Sequence, residues 1–151
     1  MGMLEVIEML KEVTYKIILI TGLFPATLLL FFSFLGLANI LSSNQLYQKD
    51  IIILTSILLG MAGYVGLITS LALPKKTLLN FLLLLLGLIG FSIFLSYEGG
   101  MRGWKWLLTI EEPEEWFFPA WPIIASLLGL FVNMFKLKKN SNTRQAQKPK
   151  L

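Results

Sequence analysis

There is no cysteine and no histidine anywhere in the 151 residues. Without cysteine there is no disulfide, no thiol relay and no thiolate metal site. Without histidine there is no imidazole ligand for haem or zinc and no imidazole general base. A haem-bearing membrane oxidoreductase and a quinone-coupled disulfide enzyme are both excluded. Charge is also scarce: Asp, Glu, Lys and Arg make up 15% of the chain. No Gly-x-Ser-x-Gly, His-Glu-x-x-His or glycine-rich phosphate loop is present. No cofactor or metal is expected.

What the chain has instead is apolar length. It is 56% hydrophobic with a mean hydropathy of +0.73. Four runs, Ile17–Leu41, Ile51–Leu73, Leu78–Leu95 and Phe117–Phe135, contain no charged residue. Each reaches the ~18 residues that separate a transmembrane helix from a buried soluble one. In hydrocarbon every backbone amide needs an internal partner, which a helix supplies within itself. The expected fold is therefore all-α: an integral membrane four-helix bundle, antiparallel, preceded by a short amphipathic helix. The expected boundaries are residues 1–16 for that helix and 17–135 for the four-span domain. Residues 96–116 form its long outer loop, and 136–151 form a basic, disordered tail.

Within residues 3–16, Met3, Val6, Ile7, Leu10 and Val13 share one helical face, and Glu5, Glu8, Glu12 and Lys16 lie opposite. Glu12 and Lys16 are spaced to pair. The segment either lies at the interface or extends the first span, and its apolar face is expected to dock on the protein's own helices. The first run is too long for the core of a cleaved signal peptide. Pro25 removes a backbone donor and crowds the Thr21 carbonyl, so a kink is expected there. Pro113 with Glu114 and Glu115 is a plausible helix start. Because Pro119 and Pro122 follow, the fourth membrane helix is expected to begin near Pro119.

Orientation follows from the basic residues. With four spans, Lys11, Lys16, Lys75, Lys76 and the six basic tail residues fall on one side. Lys49, Arg102 and Lys105 fall on the other. The basic side is expected to be cytoplasmic. Size and short loops suggest a bacterial plasma membrane. The basic tail is read as a topology anchor on anionic lipid, not a nucleic-acid arm.

Small residues mark expected helix contacts, because lipid gives helices no hydrophobic drive to associate and close backbone approach must do so. The candidates are Ser56, Gly60, Gly63, Gly66 and Ser70 in span two, Gly87 and Gly90 in span three, and Ser126 and Gly129 in span four. In span one, Gly22, Ala26, Ser33 and Gly36 share a face. Asn80 and Asn133, both near the cytoplasmic ends, are expected to be able to meet across helices. All four tryptophans, Trp104, Trp106, Trp116 and Trp121, lie in the long loop or at the start of span four, beside Glu111, Glu112, Glu114 and Glu115. Indole rings favour the headgroup level, so this stretch is read as an outer contact surface lying along the membrane.

No span carries a buried carboxylate or a nucleophile–base pair, which argues against an intramembrane hydrolase and an ion-coupled carrier. The reading is a non-catalytic membrane protein, an accessory or assembly subunit working through helix and loop contacts. The partners would be the bilayer and another membrane protein or a second copy. The alternative is a homo-oligomeric channel or facilitator for a small solute or ion.

Overall fold

The computed structural model describes residues 3–42, 47–98, 109 and 112–146. They form four long helices: α1 (Met3–Ser42), α2 (Gln48–Ala72), α3 (Thr77–Glu98) and α4 (Pro113–Ala146). Each contains a stretch long and apolar enough to cross a membrane: Glu5–Ser42, Gln48–Ala72, Thr77–Tyr97 and Pro119–Lys138. These four candidate spans point to a membrane protein.

The closest pairing is between α2 and α3. The chain turns between them on Leu73–Lys76, with Leu73 N–H donating to Thr69 O at 2.7 Å and Lys76 N–H to Leu73 O at 3.0 Å. Along the seam Gly63 meets Gly87, Gly66 meets Leu84, and Gly90 meets Ser56 and Gly60. Partner numbers fall along α3 as they rise along α2, which is the register of a helical hairpin. Gly63 and Gly87 are so close that a Cβ on either would collide with the other's Cα. Only glycine permits that approach, and close backbone contact is how helices in lipid gain packing energy.

α1 and α4 close the other side. Gly22 packs on Ala125, and Lys136 lies 5.9 Å from the centre of the Tyr15 ring. Trp121 Nε1–H donates to Thr21 Oγ1 at 3.0 Å. The core of the bundle, Leu19, Ala26, Leu67, Leu84 and Ala125, draws on all four helices.

The helices run beyond the expected boundaries. Residues 3–16 follow the second of their two readings, an extension of the first span, and do not form a separate interfacial helix. They continue without a break into the span, giving one helix of 40 residues, about 60 Å long against a hydrocarbon core of about 30 Å. Glu12 and Lys16 do pair, at 2.8 Å, but every residue from Glu5 to Thr14 is exposed, so the apolar face is not docked on the bundle. The fourth helix starts at Pro113 and contains Pro119 and Pro122. Proline is tolerated inside apolar helices when neighbouring groups re-satisfy the freed carbonyls, and Pro119 is buried here. Finally, α4 runs on through Lys136–Ala146, past the point where a disordered tail was expected. Lys, Leu, Gln and Arg favour helix and no glycine or proline interrupts before Pro149.

Candidate functional site

The expected packing residues fall mainly on the seams. Gly63, Gly66 and Gly90 are buried between α2 and α3, with Gly87 half-buried opposite Gly63. Gly129 is buried against Leu84, where a Cβ would lie 2.8 Å from Leu84 Cδ1. Ser56, Ser70 and Ser126 are buried as well. Gly60 differs. Its backbone approaches Gly90, but its own Cβ direction is open, with nothing within 4 Å.

Asn80 and Asn133 are both buried at the end of the bundle that carries the α2–α3 turn, yet neither bonds to the other. Asn133 Nδ2 donates to the Gly129 carbonyl at 2.8 Å, within its own helix. Asn80 Nδ2 donates to Leu73 O at 3.0 Å. That carbonyl, just past the end of α2, also accepts from Lys76 N–H in the turn. Asn80 is thus a staple of the hairpin rather than a partner of α4. Its Oδ1, fully buried, finds no hydrogen-bond partner among the described residues.

The outer-loop residues divide. Trp104, Trp106 and Glu111 lie outside the described residues. Glu112 is exposed just ahead of α4, and Glu114, Glu115 and Trp116 occupy its first turn. Trp121 is not an outer contact. It is half-buried, stacks on Phe117 with ring centres 6.0 Å apart, and ties α4 to α1 through Thr21. Its sequence position near other tryptophans masks this role, since an indole anchors an interface or a helix pair equally well.

One feature of the structure has no counterpart in the sequence pattern. A cavity of about 370 Å³ lies among the four helices, in the half of the bundle remote from the α2–α3 turn. All four helices line it: residues 26–36 of α1, 53–67 of α2, 87–94 of α3 and 119–126 of α4 contribute. No charged residue touches it. Three of its four lining hydroxyls, those of Ser33, Ser56 and Tyr64 but not that of Ser126, are engaged within the chain. Ser33 Oγ donates to Leu29 O at 2.8 Å, Ser56 Oγ to Ile52 O at 2.9 Å, and Tyr64 shares a 3.1 Å hydrogen bond with Thr27.

The cavity exists because α1 stops packing partway along. Leu19, Gly22, Pro25 and Ala26 are buried. From Thr27 to Ser42 no residue is buried. The change comes within one residue of Pro25, the position where the helix loses a backbone hydrogen bond. On the side of α1 facing away from the cavity, Phe31, Phe34, Leu35, Ala38 and Leu41 form a continuous exposed apolar face at helical spacing.

Among the described residues such a site offers shape and apolar contact, with no charged side chain in its wall. Comparison with protein-family models, with curated proteins and with solved structures yields no match for this chain.

Proposed function

We propose that this chain is a non-catalytic integral membrane protein, an accessory or assembly subunit that works by packing its α1 against a transmembrane helix of another membrane protein. The observation that carries this reading is the exposure of α1 from Thr27 to Ser42. Phe31, Phe34, Leu35, Ala38 and Leu41 would meet the partner, with aromatic rings supplying large contact area and Ala38 permitting close approach. The Trp- and Glu-rich stretch between α3 and α4 would add contacts at the outer surface.

In this reading the four helices cross the bilayer in antiparallel order. Both termini and the basic tail lie on the cytoplasmic face of a bacterial plasma membrane, following the excess of Lys and Arg on that side. A channel for a polar solute is the weaker alternative, because a conducting path needs polar lining groups and the inter-helix cavity is mostly apolar with three of its four hydroxyls engaged.

Purification from native membranes in mild detergent tests the reading. The expected result is a second membrane protein at fixed stoichiometry, lost when Phe31, Phe34 and Leu41 are replaced together by Ala while the thermal stability of the chain is kept. A chain that purifies alone from its native membrane overturns it. So does a pure homo-oligomer that passes solute in liposomes.

A further inference from the structure

We propose that the cavity among the four helices binds one hydrocarbon chain of a membrane lipid, drawn from the leaflet remote from the chain termini. The inference rests on the reading that the four helices span a bilayer, and it concerns a different surface from the partner face of α1.

The chemistry of the wall selects the occupant. A volume of about 370 Å³ falls in the ~300–1,000 Å³ range of small-molecule sites. Water held inside a protein needs two or more polar partners; the lining hydroxyls of Ser33, Ser56 and Tyr64 are already bonded, which leaves the single hydroxyl of Ser126. A void left empty would forfeit the dispersion contacts of its lining. An apolar occupant remains, and a polar or charged solute has nothing here to recognise it.

Position and length agree with a lipid tail. The wall on α1 runs from Ala26 to Gly36, about 15 Å of helix at 1.5 Å per residue. That is half of a ~30 Å hydrocarbon core, the depth one leaflet's chains occupy. The exposed members of the wall, Leu29, Phe32 and Gly36 on α1, Gly60 on α2 and Phe94 on α3, mark its mouth. Gly36 and Gly60 carry an independent signal. Unlike the glycines of the α2–α3 seam, a Cβ on either would meet nothing within 4 Å. No neighbouring helix requires them to be small, and their smallness keeps the mouth wide.

The test uses the full chain in phosphatidylcholine vesicles that contain a phosphatidylcholine with a diazirine in its acyl chain. After irradiation, adducts are mapped by peptide mass spectrometry. Wall residues Gly60, Met61, Phe91 and Ile123 should be labelled about tenfold more, per lipid occupancy, than the outward-facing Leu58, Leu82 and Leu127. Gly60→Phe should fill the space, reduce wall labelling to the outward level, and leave outward labelling unchanged. Gly36→Phe, placed on a different helix, should do the same and guards against a folding defect in either variant. Equal labelling of wall and outward faces in the wild type overturns the proposal alone. So do wall adducts that survive both variants, or chain-to-chain crosslinks at the wall in place of lipid. An absence of adducts on every helix overturns the bilayer reading along with it.

Discussion

The two halves of α1 beyond Tyr15 have similar composition and opposite surroundings. Between Tyr15 and Ala26 the helix buries Leu19, Gly22, Pro25 and Ala26, bonds to α4 through Thr21 and Trp121, and contributes to the shared core. From Thr27 to Ser42 it is just as apolar and buries nothing. In water the second half would be a liability. In hydrocarbon, exposure of Phe and Leu carries no penalty, and only packing, hydrogen bonding and small-residue contact distinguish a seam from a lipid-facing side. The contrast teaches that α1 packs tightly only in the half nearest the α2–α3 turn, and that its other half leaves a cavity on one side and an exposed apolar face on the other.

Substitutions at the two kinds of glycine give the largest contrast. Gly63→Leu should abolish the hairpin seam, destabilising by about 3 kcal/mol or more, because the new side chain meets the backbone of Gly87 and not a flexible side chain. A collapse of the thermal midpoint in detergent would show it. Asn80→Leu comes next. It removes one of the two hydrogen bonds that the Leu73 carbonyl accepts, the other coming from Lys76 N–H, and a hydrogen bond is worth about 0.5–1.5 kcal/mol net. Proteolysis at the Pro74–Lys76 turn should accelerate accordingly. Trp121→Phe removes the indole N–H from Thr21 and should cost about 0.6 kcal/mol, the average for an interhelical hydrogen bond in a membrane protein. Gly36→Leu, in open space, should change stability by less than about 0.5 kcal/mol. If Gly36→Leu proved as damaging as Gly63→Leu, the division of α1 into a packed and an open half would fail.

Much of this architecture is legible in the chain itself. Four uninterrupted apolar runs give four helices, with α2 and α3 close to their observed limits, because length and the absence of charge suffice for that inference. Gly63, Gly66, Gly87 and Gly129 lie at helix contacts, as small-residue spacing suggests, since only small residues allow such approach. The failures have a common cause. Hydropathy reports the average surroundings of a segment and not which neighbour a given face finds. Hence the exposure of residues 3–16 where docking was expected and the inward use of Trp121 were not readable. Asn80 could be placed near the turn, but its partner is a carbonyl only seven residues away, a bond that depends on how tightly the turn closes. The cavity left no trace, because a wall of Leu, Ile, Phe and Gly looks the same whether it encloses a space or faces lipid.

The absence of cysteine makes one direct measurement clean. Single cysteines placed in turn from Ile17 to Ser42 can each carry a nitroxide in lipid vesicles, with accessibility read to molecular oxygen and to a water-soluble nickel chelate. Up to Ala26, oxygen accessibility should rise and fall with the helical period, with minima at Leu19, Gly22 and Ala26. From Thr27 through the apolar run the mean should rise and the oscillation should shrink, with only shallow minima on the half-buried side at Leu30, Ser33 and Leu37, while the nickel chelate is excluded. An oscillation that continues at full depth to Ser42, or nickel accessibility along the run, would contradict an α1 that packs tightly as far as Ala26 and only loosely beyond it.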